Sequence, residues 1–246
     1  MFEYIILGIL QGIFEWIPVS SEGIVALFSN YFIKDLNVVD VAIFLHLGTF
    51  FSVLIYFWKD WLDLLKLKDV EFLKFFILTT IISGGIGFLF YDLSKEIVMG
   101  GGLLLLMGFG LLLTSFFQKR KINFNLDKKY GPFLIGILQG VSVVPGVSRS
   151  GSTIFGLSFF EKDPLKILKI SYLLSAPVVV ASSGYLYLKN PDILFDGGWV
   201  ALIFAFIFGI LTLKILFDLT KKINFSLFTL IFGILCILSG IIEYLI

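Results

Sequence analysis

The sequence predicts an all-α integral membrane protein with six transmembrane helices and two re-entrant helical hairpins, arranged as an inverted-topology repeat. Three observations predict this class: a strongly apolar composition, six runs long enough to cross a bilayer, and a glycine-rich segment that occurs twice. Of the 246 residues, 58% are hydrophobic and only 15% are charged. A composition this apolar excludes a soluble globular protein.

Six apolar runs are each long enough to cross the hydrocarbon core of a bilayer, which takes about 20 helical residues. They cover residues 39–59, 71–91, 98–118, 165–189, 198–218 and 223–246. Near the start of the chain, Glu3 stands where a signal peptide would carry positive charge. We therefore expect the N-terminal segment to belong to the mature fold.

A repeated segment divides the chain into two halves. The sequence GILQG occurs at residues 8–12 and again at 136–140, an offset of 128 positions. The same offset carries the first three apolar runs onto the last three. We therefore expect a first repeat over residues 1–118 and a second over 119–246, each with one broken segment followed by three spans.

Each repeat begins with an apolar segment that proline interrupts. These segments, 3–29 and 131–158, contain Pro18 and Pro145. Proline removes a helix hydrogen-bond donor and clashes with the preceding turn, so we expect each segment to form two short helices that meet at a break. Irregular backbone at membrane depth must be buried in protein or line a wet cavity, which a re-entrant hairpin allows.

The distribution of positive charge favours hairpins that turn back over hairpins that cross. If both turn back, 15 of the 19 Lys and Arg residues lie on one side of the membrane, three lie on the other, and Arg149 lies inside the second hairpin. If the second hairpin crosses, the split becomes 10 to 8. Because positive residues accumulate on the cytoplasmic side, we predict a multi-pass cell-membrane protein with both termini external. Each repeat then crosses the membrane three times, which is an odd number. The two halves therefore have opposite orientations in the membrane.

The two breaks carry candidate anion-binding residues. In inverted-repeat folds, the second half-helix of each hairpin aims its N-terminus at what is bound near the midplane, and free N–H groups there favour anions. Hydroxyl groups follow the breaks, at Ser20, Ser21, Ser148 and Ser150. The alternative is that these serines only cap the half-helices, and the pattern leaves both interpretations open.

Charged and polar residues within the apolar segments need partners. Placing a guanidinium such as that of Arg149 within a membrane span costs at least ~2.5 kcal/mol unless it is paired or hydrated. Its partner is either Glu15, in a structural ion pair, or a phosphate, which it can hold bidentately. Gln11 lies four residues before Glu15 and shares its helix face. His46, the only histidine, lies inside a predicted span and is more typical of a core residue than of a catalyst.

Around these residues the chain resembles the undecaprenyl-diphosphate phosphatase family, the bacitracin-resistance membrane phosphatases that recycle the lipid carrier of cell-wall synthesis. Residues 11–24, QGIFEWIPVSSEGI, resemble its first motif, an acidic pair four apart followed by Leu-Pro-Val-Ser-Ser-x-Gly-His. Residues 145–153, PGVSRSGST, match its second motif, Pro-Gly-x-Ser-Arg-Ser-Gly-x-Thr. Two departures stand out: Gln11 replaces the first glutamate, and Ile24 replaces the histidine.

The resemblance implies a site that both hairpins build. It implies Glu15 as the acid, base or metal-binding carboxylate, Ser21 as the nucleophile and Arg149 as part of the diphosphate clamp. A divalent cation, Mg²⁺ or Ca²⁺, would bridge Glu15 and the substrate. Together with the half-helix argument, this gives the expected substrate-binding residues: Gln11, Ser20, Glu22, Ser148, Ser150 and Thr153.

The expected function is hydrolysis of a polyprenyl diphosphate to the monophosphate and inorganic phosphate, which recycles a lipid carrier in cell-envelope biogenesis. The alternative is a polyprenyl-phosphate flippase or anion transporter, because inverted repeats around a midplane anion site also build secondary transporters. A third alternative is that the protein is only a structural membrane subunit, but this would not explain a charged Arg149 within an apolar segment. The expected partners are the lipid and the bilayer, with no nucleic acid, and a homodimer stays open.

The GILQG repeat also predicts how the hairpins pack. Glycines four apart present a smooth strip that lets helices approach closely. We expect Gly8, Gly12, Gly136 and Gly140 to form the contact between the two hairpins. Enlarging Gly12 or Gly140 to leucine should then abolish activity, whereas Gly101→Leu, outside the repeat, should be milder.

Overall fold

The computed structural model describes residues 1–19, 21, 24–25, 28, 38–94, 100–119, 127–143, 147–189 and 198–245. Within these ranges all regular structure is helical, in ten α-helices and one short 3-10 turn, Lys128–Tyr130. In chain order the helices are α1 (Phe2–Phe14), α2 (Val38–Tyr56), α3 (Trp58–Leu65), α4 (Val70–Ser94), α5 (Gly100–Lys119), α6 (Gly131–Val141), α7 (Arg149–Leu157), α8 (Pro164–Lys189), α9 (Gly198–Thr220) and α10 (Phe225–Leu245).

Several of these helices are long and apolar enough to cross a membrane. Four qualify by themselves in the described ranges, α4, α8, α9 and α10, and a fifth qualifies if α2 and α3 form one bent span. Each of the six predicted runs overlaps one helix of this set or α5. The chain is therefore a multi-pass membrane protein.

The run predicted at 39–59 does not continue as one straight helix. α2 ends at Tyr56, and α3 leaves it at an angle of 76°. α3 carries charged residues, and its Asp60 forms an ion pair with Lys169 of α8 at 2.9 Å. Charged side chains are costly in hydrocarbon, which accounts for the bend: α3 turns away from the direction of the span and is fastened to α8.

The short first helix of each hairpin packs against a long span. A Cβ added at Gly8 would lie 2.3 Å from the carbonyl oxygen of Ala201 in α9, and one at Gly12 would lie 2.7 Å from the amide nitrogen of Gly209. In the second half, a Cβ at Gly140 would lie 2.6 Å from Ile86 of α4. α1 therefore packs on α9, and α6 packs on α4.

The prediction that these glycines join the two hairpins is therefore wrong. The reason is that α9 presents its own strip of small residues, Ala201, Ala205 and Gly209, spaced four apart and facing α1. Two smooth strips allow the two backbones to touch. The repeat alone did not reveal this complementary strip on a different helix.

Enlarging Gly12 tests this packing. In Gly12→Leu, the side chain would meet the backbone of α9, and overpacking of this kind typically costs about 1–3 kcal/mol or more. We expect a lower melting temperature in detergent and a matching loss of activity. Gly85→Leu is the matched control, because a Cβ at Gly85 has no atom within 4 Å. Equal melting temperatures for the two variants would contradict the close α1–α9 contact.

Candidate active site

The turn after α1 is held in place by buried contacts. Trp16 is 1% exposed, and its Nε1 donates to the carbonyl of Gly209 at 3.0 Å. The hydroxyl of Tyr172 in α8 donates to the Trp16 carbonyl at 2.6 Å, and the two rings are 5.0 Å apart. Pro18 follows, where a helix cannot simply continue. These contacts fix the position of the neighbouring Glu15.

The start of α7 lies against this turn. Ser148 caps α7, since its hydroxyl accepts the N–H of Gly151 at 3.2 Å. Ser150 donates to the carbonyl of Ile17 at 2.9 Å, across the two halves of the chain. The Ser148 and Ser150 hydroxyls are 3.1 Å apart. The serines thus cap and join the breaks, and both also line the pocket described below.

Glu15 is the centre of the site. Its side chain is 3% exposed, and its Oε2 accepts hydrogen bonds from Gln11 Nε2 at 2.9 Å and Ser21 Oγ at 3.0 Å. His46 Nε2 lies 3.1 Å from the same oxygen. The other oxygen, Oε1, forms an ion pair with Nη2 of Arg149. Four side chains from three segments of the chain therefore converge on one carboxylate.

Ser21 and Arg149 meet the distance condition for a shared phosphate. Each contacts one oxygen of the same Glu15 carboxylate, so the hydroxyl and the guanidinium are separated by two contacts of hydrogen-bond length and one carboxylate. That places them well within the ~10 Å that two contacts of ~3 Å to one phosphate group allow.

A pocket opens at this point, and the empty space in and around it, open solvent included, is about 280 Å³. It is lined by Glu15, Val19, Ser21, His46, Ser142, Val147, Ser148, Arg149 and Ser150. Both halves of the chain contribute, and the polar side chains include a carboxylate, an imidazole, a guanidinium and four hydroxyls. Such a set binds anions and transfers protons, which are the two requirements of phosphoryl transfer.

Comparison with known proteins supports the same assignment. Residues 4–242 match the family described as bacitracin resistance protein BacA. The chain belongs to this family. The chain is 35% identical over 265 residues to an undecaprenyl-diphosphatase of Halothermothrix orenii, with 98% of this chain and 99% of the relative covered. Undecaprenyl-diphosphatases of Thermosipho africanus (34% identity, 98% and 98% covered) and Methanococcoides burtonii (30%, 96% and 97%) are also similar. The family predicted from the two motifs is confirmed.

In this BacA-family chain, two predicted residues lie behind the pocket wall. Gln11 is fully buried and supports Glu15, while no partner is found for its Oε1 among the described residues. Thr153 is also fully buried: its hydroxyl donates to the Arg149 carbonyl at 3.0 Å and contacts the Ser171 hydroxyl. Neither lines the pocket, so both hold residues that do. Ser20 and Glu22 lie outside the described residues.

His46 is the pocket residue whose place the sequence did not indicate. It lies on α2, and its Nδ1 is 2.6 Å from the carbonyl oxygen of Ala42, one turn earlier. The sequence favoured a core histidine over a catalyst; the structure places its other nitrogen against Glu15, at the pocket. The one signal available was that ionisable residues within spans tend to be functional.

The divalent cation implied by the resemblance needs free ligands at Glu15. Among the described residues, no group of three His, Cys, Asp or Glu side chains is placed to hold a metal. A carboxylate offers about four lone-pair sites; three donors already converge on Oε2, and a guanidinium binds Oε1. A cation at Glu15 would have to displace a donor or lie against Arg149. The described residues therefore do not fit a divalent cation as they stand.

Proposed function

We propose that this protein is an integral membrane phosphatase that hydrolyses a polyprenyl diphosphate, of the undecaprenyl type, to the monophosphate and inorganic phosphate. The observation that carries the proposal is the convergence of Ser21, Glu15 and Arg149 at one pocket. The BacA family and the relatives named undecaprenyl-diphosphatase support the substrate class. Recycling of a lipid carrier and resistance to bacitracin would follow from this activity.

The geometry supports a role for each of the three residues. Ser21 Oγ attacks the terminal phosphorus, and its proton passes to Glu15 Oε2, to which it already donates at 3.0 Å. The bond between the terminal phosphorus and the bridging oxygen breaks, and the polyprenyl monophosphate leaves. Water then attacks the phosphoserine, the bond between phosphorus and Ser21 Oγ breaks, and inorganic phosphate leaves. Ser21 Oγ takes back the proton held by Glu15, which restores the serine and the carboxylate. This is nucleophilic catalysis with an adjacent carboxylate base.

Arg149 stabilises the transferred phosphoryl group. A guanidinium has five N–H donors in a planar fork, and in the substrate-free site it contacts Glu15 and, at 3.5 Å, the carbonyl of Ser171. Two further N–H groups of the guanidinium can bind a phosphate in the pocket. Enzymes accelerate phosphoryl transfer mainly by positioning the substrate and by holding fixed positive charge at the transferring group. Ser148 and Ser150 line the same pocket, and their hydroxyls are proposed to orient the phosphate oxygens.

We also propose that the chain forms six spans and two re-entrant hairpins, 3–29 and 131–158, as inverted repeats over 1–118 and 119–246. Helix packing supports this. Under the offset of 128, the α1–α9 contact corresponds to α6–α4, and the α2–α9 contact corresponds to α8–α4. The α2–α8 and α5–α10 contacts correspond to themselves. A two-fold relation between the halves accounts for all six pairs.

Cysteine labelling in intact cells tests the proposed topology. In a Cys236→Ala background, we expect Phe2→Cys to react with a membrane-impermeant maleimide from outside, because both termini are proposed to be external. Lys121→Cys, between the predicted span 98–118 and the predicted hairpin 131–158, should react only after the membrane is permeabilised, since that segment of the sequence carries much of the positive charge. Labelling of Lys121→Cys in intact cells would contradict the orientation.

A phosphate-release assay tests the proposed function. Purified protein in detergent is incubated with a polyprenyl diphosphate, and inorganic phosphate is measured over time. We expect release by the wild-type protein. Wild-type protein that binds the lipid, or moves it across liposomes, without releasing phosphate would instead support the flippase or transporter.

A further inference from the structure

The spans that border the two hairpins pack differently in the two halves of the chain. In the first half, Gly209 of α9 is enclosed by two helices. A Cβ added at Gly12 of α1 would lie 2.7 Å from its amide nitrogen, and a Cβ added at Gly209 itself would lie 2.5 Å from Ser52 Oγ of α2. Ser52 also donates to the Phe206 carbonyl of α9 at 2.9 Å. These contacts leave no space for a lipid chain between α2 and α9 at this depth.

Gly87 of α4 has the corresponding place in the second half, but only α6 touches it. A Cβ added at Gly87 would lie 3.7 Å from the carbonyl oxygen of Gly140, and this is the one described atom of another helix within 4 Å. A Cβ added at Gly84, three residues earlier, has no described atom within 4 Å. On α8, Val180 lies at the offset of 128 from Ser52 and is 52% exposed. The second half therefore leaves an opening between α4 and α8 that the first half closes.

The opening begins at Gln139 of α6. Its Nε2 donates to Ser83 Oγ of α4 at 3.2 Å and to the Leu174 carbonyl of α8 at 3.3 Å, so its side chain joins the two helices. Beyond Ser83, none of residues 84–90 of α4 is buried, and a Cβ added at Gly184 of α8 has no described atom within 4 Å. The opening therefore extends from Gln139 toward the C-terminal ends of both helices.

The opening is continuous with the pocket. Ser142 lines the pocket, and its hydroxyl donates to the carbonyl of Gln139 at 2.6 Å. Val147 also lines the pocket, and it packs against Phe90 of α4 and Leu138 of α6. The end of α6 thus borders both the pocket and the opening, and Val147 gives this boundary an apolar surface.

The chemistry of the opening indicates its occupant. Residues 84–90 and 175–188 include no charged residue, so apolar and small polar groups border the opening. The empty space in and around the pocket, open solvent included, is about 280 Å³. Sites that hold drug-sized ligands begin at about 300 Å³. A polar pocket of this size holds a diphosphate but not a polyprenyl chain, which must leave it along an apolar surface.

We propose that the opening between α4 and α8 binds the polyprenyl tail of the substrate, with the diphosphate in the pocket and the first isoprene units against Val147 and Phe90. The inference rests on the phosphatase activity proposed above and adds the path of the tail. Side chains at Gly84, Gly87 and Gly184 would narrow this path. The first half offers no such path, since α2 and α9 are in contact.

Photo-crosslinking maps the tail directly. The probe is a polyprenyl monophosphate, the product of the proposed reaction, with a diazirine near its phosphate end. It is irradiated with wild-type protein in lipid nanodiscs, and the adducts are located by mass spectrometry. We expect adducts on α4 beyond Ser83 and on α8 beyond Leu174, and excess unlabelled polyprenyl monophosphate should abolish them. Adducts that persist in that excess, or displaceable adducts confined to α2 and α9, would overturn the inference.

Tryptophan on either side should block the opening. In Gly84→Trp and Gly184→Trp we expect the KM for polyprenyl diphosphate to rise about tenfold, because lost contact with about two methylene groups of the tail is worth that factor. The kcat and the melting temperature should stay as in the wild type, since neither residue lies at the pocket. Ile203→Trp is the matched control, because Ile203 is 55% exposed on α9, and its KM should not change. A wild-type KM in both glycine variants would contradict the proposed path.

Phosphate release by the same wild-type preparation separates this inference from the proposed function. Release without displaceable adducts in the opening refutes only the path of the tail. Displaceable adducts in the opening without release support a site for the lipid tail and refute the phosphatase.

Discussion

Arg149→Ala is expected to lower phosphate release by about 10³-fold or more, the range seen when an arginine that stabilises a transferring phosphoryl group is removed. The side chain is 12% exposed and contacts Glu15 directly. Its loss removes the guanidinium that lies beside Glu15 in the pocket. The measurement is the initial rate of phosphate release by purified protein in detergent.

Two controls accompany Arg149→Ala. Arg149→Lys keeps the charge but loses the bidentate fork, and should recover only part of the rate. Lys169→Ala removes a cation from α8 that pairs with Asp60, away from the pocket, and should change the rate little. Near wild-type release by a folded Arg149→Ala protein would show that Arg149 serves only as the ion-pair partner of Glu15.

Ser21→Ala is expected to lower phosphate release by about 10³-fold, because it removes the nucleophile. The change also removes the hydrogen bond from Ser21 to Glu15 at 3.0 Å. With substrate labelled at its terminal phosphate, rapidly quenched wild-type protein should carry label on Ser21, and Ser21→Ala should carry none. Ser158→Ala is the matched control, since Ser158 is a buried serine whose hydroxyl donates to the Phe155 carbonyl of the adjoining helix α7, at 2.7 Å.

The alternative for Ser21 is that it positions the water that attacks phosphorus. In that case the wild-type protein would release phosphate without ever carrying label, and Ser21→Ala would keep a larger part of the rate. A substrate whose terminal phosphorus is made chiral with sulfur and oxygen isotopes also separates the two routes. Two successive displacements through a phosphoserine retain the configuration at phosphorus, whereas a single attack by water inverts it.

The sequence predicted which segments are helices better than it predicted which helices touch. Hydropathy locates spans because a helix in lipid must be apolar over about 20 residues. It does not say which neighbour each face meets: the glycines of α1 face Ala201 and Gly209 of α9 instead of the other hairpin. The strips of small residues on both helices were visible, but nothing in the sequence paired them.

At the candidate site, too, the sequence identified residues better than it predicted their contacts. Glu15 could be named from the sequence as one of two candidate partners of Arg149, beside a phosphate, because a guanidinium within an apolar segment needs an anion. The contact of His46 with Glu15 could not, since it depends on how α2 packs beside α1. The hydroxyl of Thr153 was expected to face the substrate, yet it donates to the backbone of its own helix, a local bond that competes with any outward role.

Hydrolysis of a polyprenyl diphosphate at one pocket, built by both halves of the chain, is tested most directly by product analysis. The substrate carries a label on its terminal phosphate, and wild-type protein is assayed in detergent. We expect the label to leave as inorganic phosphate while polyprenyl monophosphate appears in equal amount, and both products to form about 10³-fold more slowly or less with Arg149→Ala. Recovery of intact labelled diphosphate from the wild-type incubation, with folded protein present, would contradict hydrolysis at this pocket.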